Sequence, residues 1–272
     1  MPDKWTELCF HNESEDYTWE LFHENSKTSR YDPQKPTKEI LARMSELWES
    51  LPFDGYPSIL LPQNLAPLNL TLGDAILSRA TARSIRPVQL VLAQVATILH
   101  HAYGITRDNK GTVFPRPFRS VPSGGGLYPL EIFFHSSHIE GLKPGVYHFN
   151  PVQNRLRMLR EGDCARELAD ALVQPQLAMD VSLFFFITAV FERSIFKYGD
   201  RGYRFTLLEA GHVAQNMNLV ANALGLGCVN VGGYFDREVD VLLNLDGITH
   251  STVYIIGVGQ NDPDGHSLKG LH

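Results

Sequence analysis

The sequence predicts an α+β domain, a sheet with helices packed against it. Three observations carry that prediction. The apolar run from Val181 to Phe191 is too short to cross a bilayer and has the length of a buried central strand. Gly145-Val-Tyr-His-Phe149 alternates as a half-buried strand does. Ala210, Val213, Ala214, Met217, Val220, Ala221 and Leu224 recur at helical spacing and form one apolar stripe.

The first part of the chain has a different texture. It holds Trp5, Trp19 and Trp48, which are all of the tryptophans, and prolines recur at 33, 36, 52, 57, 62 and 67. One helix is expected there, Pro36 to Ser50, with Ile40, Leu41, Met44, Leu47 and Trp48 on one stripe. The rest reads as an extended arm wrapped on the main body or on a partner subunit. Residues 1–70 are therefore expected to be an N-terminal extension and 71–272 the main domain.

Within the main domain, Leu72 to Thr81 suits a short helix. A longer one is expected from Pro87 to Tyr103, with proline in its first turn and Gly104 just past its end. An Arg- and Pro-rich loop, 107–120, leads to a glycine-rich segment. Strands are expected at Leu130–Ser136, Gly145–Asn150 and Arg155–Leu159, and a helix at Asp163–Val173. The longest helix is expected from Tyr203 to Leu224, stopped by Gly225, with small residues that let a second helix approach closely. Strands at Gly227–Tyr234 and Ser251–Gly259 close the domain.

Composition narrows the function. The net charge is −6, with 43% hydrophobic and 20% charged residues, so no global basic field favours nucleic acid as a partner. No apolar stretch suggests a membrane span. Cys9, Cys164 and Cys228 are far apart and lack zinc or disulfide spacing. With no secretory leader at the start, a reducing cytoplasm is the expected compartment.

Four segments are candidates for chemistry. The most informative is Arg119-Ser-Val-Pro122-Ser123-Gly124-Gly125-Gly126-Leu-Tyr-Pro-Leu-Glu131. Successive glycines remove Cβ atoms, so the backbone can lie against a flat or phosphorylated ligand, and Ser123 and Arg119 add a hydroxyl and a guanidinium. A flexible turn before a strand is the alternative. Arg83-Ser84-Ile85-Arg86 places two cations and a hydroxyl ahead of an expected helix start, a phosphate cradle or else a solvated basic turn. Gly232-Gly233 ends a strand and could bring backbone N–H groups close to a planar ring, or could form a plain turn. Phe196-Lys197-Tyr198-Gly-Asp-Arg-Gly-Tyr-Arg204 is expected to be a polar loop leaving the buried strand. There a lysine beside a tyrosine could stabilise the phenolate, giving a usable general base. Glu209, His212 and Asn216 lie one turn apart on the long helix and lack a second histidine at i+4, so they read as polar packing groups.

Taken in order, these segments resemble the nitroreductase-like flavoproteins, and within them the SagB-type azoline oxidases and dehydrogenases of peptide natural products. The resemblance rests on Arg83-Ser84-x-Arg86, Arg119-x-x-Pro122-Ser123-Gly-Gly-Gly-Leu-Tyr-Pro-x-Glu131, Gly141-Leu-Lys-Pro-Gly-Val-Tyr147, Phe196-Lys197-Tyr198-x-x-Arg201-x-Tyr203-Arg204, Glu209-Ala-Gly-His212-x-x-Gln-Asn216, Gly232-Gly233-Tyr234 and the last strand. Phe22-His-Glu-x-Ser26-Lys27 resembles a segment that precedes the core in the azoline branch.

The resemblance implies a mostly antiparallel sheet flanked by helices, in a homodimer with non-covalent FMN at the interface. It implies that Arg83, Ser84 and Arg86 hold the flavin phosphate and ribityl chain, that Arg119, Pro122, Ser123, Gly124 and Gly125 line the cofactor, and that Gly232 and Gly233 approach N5. Lys197 and Tyr198 match the proton-abstracting pair of the azoline branch. The implied reaction is oxidation of a thiazoline or oxazoline, on a peptide or carrier, to the aromatic ring, with oxygen as the final oxidant and a cyclase as a possible further partner. The tail departs from the family pattern: it is acidic and polar, and Lys269 is its one candidate phosphate contact. An NAD(P)H-dependent nitro or quinone reductase, and a non-catalytic scaffold of a peptide-modifying complex, are the alternatives.

Overall fold

A computed structural model of the protein describes residues 18–33, 35–112 and 116–262. The expectation for Lys269 lies outside them. In chain order the elements are α1 (Thr18–Asn25), α2 (Thr37–Glu46), β1 (Ser58–Leu60), α3 (Leu72–Ser78), β2 (Ile85–Arg86), β3 (Leu90–Val91), α4 (Leu92–Tyr103), β4 (Ile105–Arg107), β5 (Phe118–Arg119) and β6 (Leu130–Ser136). They continue with β7 (Ile139–Glu140), β8 (Gly145–Asn150), β9 (Arg155–Glu161), α5 (Ala165–Asp170), α6 (Leu177–Asp180), β10 (Leu183–Val190), α7 (Glu192–Tyr198), α8 (Asp200–Ala223), β11 (Gly227–Val231), α9 (Asp236–Leu242) and β12 (His250–Asn261).

The main sheet has the order β1-β9-β8-β6-β10-β12-β11, every neighbouring pair antiparallel, with β2 added at the far end of β12. Period-2 geometry explains why its central strands carry no polar alternation. On β6, Ile132 and Phe134 enter one core and Phe133 the other; on β10, Phe185 and Ile187 divide from Phe184 and Phe186 in the same way. The first core is completed by α4 and α8, through Val95, Ile98 and Leu99 and through Val213, Ala214 and Met217. The second is completed by Leu168, Leu177, Val239 and Leu242 from α5, α6 and α9. A strand covered on both faces must be apolar throughout, which accounts for the Val181–Phe191 run.

Register fixes which loops meet. Leu130 pairs with Ala189, and Ala189 with Ser251, so the start of β6, the end of β10 and the start of β12 share one end of the sheet. Gln260 pairs with Arg86, which puts β2 at the opposite end of β12.

Three expectations need correction. Pro87 does not open a helix: Leu90 and Val91 pair in parallel with Ile139 and Glu140, and α4 starts at Leu92. Arg83, Ser84 and Arg86 therefore lie on or beside a strand, without a helix N-terminus to help them. Residues 196–204 are not a loop, because α7 runs through Tyr198 and α8 begins at Asp200. Gly199 separates the two helices with φ of 54°, a left-handed value at which a Cβ is costly.

Charged groups bind the early part of the chain to the body. Arg116 donates through Nη2 to the carbonyls of Met44 (2.5 Å) and Leu47 (2.8 Å), and Arg119 to that of Glu49 (2.6 Å). Fully buried Glu131 accepts from Ser50 Oγ (3.0 Å) and Leu51 N (2.8 Å). It also accepts from His148 Nε2 (2.6 Å) and pairs with buried Arg193 at 2.7 Å. That Arg193 Nη1 contact lacks hydrogen-bond geometry, so its attraction is Coulombic. Burial opposes ionisation of Glu131, but Arg193 and His148 outweigh it and hold the carboxyl well below the usual range. Further along, β1 extends the edge of the main sheet against β9. Arg204 Nε donates to Ser26 Oγ (2.8 Å) and Phe22 meets Tyr203 edge-on, seating α1 and the residue after it on the start of α8.

Candidate active site

The glycine segment and the Lys197–Tyr198 pair converge at the β6/β10 end of the sheet. After Val190 the chain enters α7, whose final turn carries Lys197 and Tyr198, both half-buried. Residues 124–126 make a tight 3-10 turn with left-handed φ values of 67° at Gly125 and 65° at Gly126. A Cβ on Gly125 would lie 2.6 Å from the Tyr198 hydroxyl and 2.8 Å from Lys197 Nζ. A Cβ on Gly124 would lie 3.0 Å from the Phe205 ring. Only bare backbone fits this channel. Phe205 meets Tyr198 edge-on, with centroids 5.0 Å apart, and Lys197 Nζ stands 5.0 Å from the centre of the Tyr198 ring. Leu127, Ile40 and Met44 pack with Phe196 and Tyr198, so α2 braces the pair from outside.

The glycine turn is held from below. Ser123 Oγ accepts from Tyr128 N (2.9 Å), which closes the turn. Tyr128 has φ of 47°, unusual for a residue with a side chain, and its hydroxyl accepts from Arg119 N (3.0 Å). Arg119 is buried, with its guanidinium 4.2 Å over the Tyr103 ring and 5.0 Å over that of Tyr128. Its contacts with Glu49 and these rings make it a support of the turn. Pro122 is exposed just ahead of Ser123.

The other expected residues are elsewhere. Arg83 and Arg86 are exposed near the far end of β12, and the Ser84 carbonyl accepts from Asp262 N (3.0 Å). Gly232 and Gly233 are exposed after β11; a Cβ on Gly232 would meet nothing within 4 Å. They lie one five-residue strand, roughly 17 Å at strand rise, from the Gly227 end of β11, which borders β2. One chain therefore brings together Gly124, Gly125, Lys197 and Tyr198, and keeps Arg83 and Arg86 apart from them.

Sequence reasoning treated Glu209 as a packing group and passed over Tyr103 and Phe205. Glu209 is buried below the turn, accepting from Tyr103 O–H (2.8 Å). Burial pushes its carboxyl up to about 7, against the opposing influence of Ser123, Tyr103 and the charge of Arg119. The signal was available: Glu209 falls one turn from Thr206 and Val213 on the core-facing stripe, where an acid is rarely buried without a partner. His212 is exposed, and among the described residues no cluster could hold a metal ion. Nor, among them, is any helix long and apolar enough to cross a membrane.

Comparison with known proteins settles the family. The nitroreductase family model matches residues 76–260. The chain belongs to the nitroreductase family. Protein MJ1384 of Methanocaldococcus jannaschii is 35% identical over 176 residues, covering 65% of this chain and 85% of MJ1384. The microcin B17-processing protein McbC of Escherichia coli is 34% identical over 162 residues, covering 54% of this chain and 56% of McbC. The alignment with McbC thus spans only about half of either protein. In the E. coli microcin synthetase McbBCD complex with truncated pro-MccB17 bound, one chain superposes with a TM-score of 0.56 at 23% identity, covering 92% of this chain and all of that one. This nitroreductase-family protein is accordingly of an oxidoreductase family, with a relative in peptide natural-product processing.

Proposed function

We propose that this protein is an FMN-dependent oxidase that aromatises azoline rings in a peptide natural-product precursor. The observation that carries the reading is the convergence of the Tyr198 hydroxyl and Lys197 ammonium on the bare backbone at Gly125. The residues present suit a flavin nucleotide. Gly126 and Gly232 leave open space where a Cβ would stand, and Arg83 and Arg86 are exposed cations without an ion-pair partner among the described residues. Arg83, Ser84 and Arg86 would hold the phosphate and ribityl chain, Ser123, Gly124 and Gly125 one face of the ring, and Gly232 and Gly233 its N5 edge. Because one chain separates Arg83 and Arg86 from the glycine turn, we assign the complete site to a homodimer in which two copies contribute opposite halves. A cyclase is a further partner of the same reading, and cytoplasmic maturation its setting. Residues 1–70 are assigned as an N-terminal extension of the 71–272 domain.

Aromatisation of a thiazoline removes one ring proton and one hydride. FMN, when bound, supplies the acceptor for the hydride. The Tyr198 oxygen is assigned to take the proton, with the Lys197 ammonium beside it. Phe205 and Leu127 exclude water beside the pair. The test is a thiazoline-bearing peptide incubated with FMN-loaded protein under air and followed by mass spectrometry. The reading expects each ring to lose one hydrogen molecule. NADPH-driven nitro reduction with no change in ring mass would replace it.

Gly125→Ala supplies a second check. The added methyl meets Tyr198 Oη and Lys197 Nζ, so the pair must swing aside. Turnover is expected to fall on the order of 100-fold through misplacement of the base. The left-handed φ adds a stability loss of about 1 kcal/mol, read as a small drop in Tm.

A further inference from the structure

We propose that Glu209 is a positioning residue that fixes the glycine turn against the Lys197–Tyr198 pair, acting through the Tyr103 hydroxyl. The inference rests on the reading of that pair as the reacting centre, but concerns a residue that touches neither substrate nor cofactor.

The geometry forms a chain of contacts. Glu209 is buried on α8 and receives the Tyr103 hydroxyl at 2.8 Å. On the other side of the turn, the Ser123 oxygen accepts from Tyr128 N at 2.9 Å. That bond closes the turn in which Gly125 sits against Tyr198. Tyr103 is itself fixed, because Leu130 N donates to its hydroxyl (3.1 Å) and Arg119 stacks on its ring. Glu209 thus ties α8, through Tyr103 of α4, to the first residue of β6 and, through Arg119 stacked on both Tyr103 and Tyr128, to the end of the turn. A glycine-rich turn has little intrinsic preference for one shape, so an outside anchor is required.

The state of Glu209 sets the strength of the anchor. Ionised, it is an acceptor only, and the Tyr103 hydroxyl binds it with a charge-assisted hydrogen bond. Protonated, one oxygen carries a hydrogen and competes with that donor. The charged or titratable groups facing it are Tyr103 from α4 and Arg119 from β5, and Glu131 of β6 acts in turn on Tyr103. Burial and the adjacent Glu209 raise the Tyr103 phenol, so it remains a donor across the working range. The turn is therefore expected to tighten as pH rises through about 7, where Glu209 ionises.

The experiment uses the intact protein without FMN and reads amide hydrogen exchange in 123–130, corrected for intrinsic rates, from pH 5.5 to 8.5. Wild type is expected to gain protection through neutrality. Glu209→Gln keeps an acceptor but cannot ionise, so its protection should be flat with pH. Glu209→Leu should exchange faster in this segment by roughly 10–100-fold, the scale of one charge-assisted hydrogen bond. In FMN-loaded protein, Glu209→Leu should lower kcat more than it raises KM, Glu209→Gln should restore most of kcat, and only wild type should show a step in kcat near neutral pH. Exchange in 123–130 that is unchanged in Glu209→Leu, or faster only in proportion to global unfolding, overturns the proposal. If wild type leaves azolines untouched while the exchange pattern holds, the functional reading fails and the anchoring role stands.

Discussion

Replacing Glu131 by alanine is expected to lower stability by about 3–5 kcal/mol, because it leaves the buried Arg193 cation without its counter-ion and His148 without its acceptor. Arg193 and His148 are each at most 1% exposed and both face the carboxylate. The same truncation releases Ser50 Oγ and Leu51 N, which hold the early chain on the sheet. Urea unfolding of wild type and variant at pH 7 reads the loss; a change under about 1 kcal/mol would refute it. The pair itself need not be stabilising. Glu131→Leu combined with Arg193→Met should recover part of the loss, since apolar replacement of both partners removes the desolvation cost.

Acid adds a signature with a definite sign. The Glu131 carboxyl is depressed in the folded state, so its contribution is present above its unfolded value near 4.5 and is lost as pH falls below it. His250, whose Nε2 lies 2.7 Å from Thr188 Oγ1, is lowered by burial from 6.5 to about 4, so its contribution is lost one step earlier, as pH falls from 6.5 toward 4. Wild type should lose stability across both windows, and Glu131→Ala should lack the lower one.

The sheet was legible because burial on two faces writes a strong signal. Val181–Phe191 and Leu130–Ser136 were placed from apolar runs alone, within two residues of their strands at each end. The start of α4 was misread because Val88, Val91 and Leu92 keep helical spacing across a point where the chain is still extended. A two-residue strand is shorter than the period that would reveal it. The segment 196–204 was read as a loop for its charges, although Gly199 marked a junction between helices. Lys197, Tyr198 and the glycine segment were found as separate motifs; their contact depends on the β6–β10 register, which no local pattern encodes. The buried group around Glu131 draws on residues from Ser50 to Arg193 and was invisible for the same reason.

Tyr198→Phe should reduce azoline turnover by about 10²–10⁴-fold, the usual contribution of a positioned general base. The aromatic ring is kept, so its edge-on contact with Phe205 and its place in the Leu127, Ile40 and Met44 cluster persist and Tm should barely move. Binding is not the term removed, so KM should stay within a few-fold and the loss should fall on kcat. Lys197→Ala tests a different quantity. Its ammonium stands 5.0 Å from the phenol ring, close enough for its charge to stabilise a developing phenolate in a partly buried site. Lys197→Arg keeps that charge, so it should retain more activity than Lys197→Ala, while neither rescues Tyr198→Phe. Flavin absorbance should be the same in all three variants, because none removes a residue assigned to the phosphate or the ring. Wild-type turnover in Tyr198→Phe would transfer the base to another group. Loss of bound flavin in Lys197→Ala would make Lys197 a cofactor contact instead of a partner of the phenol.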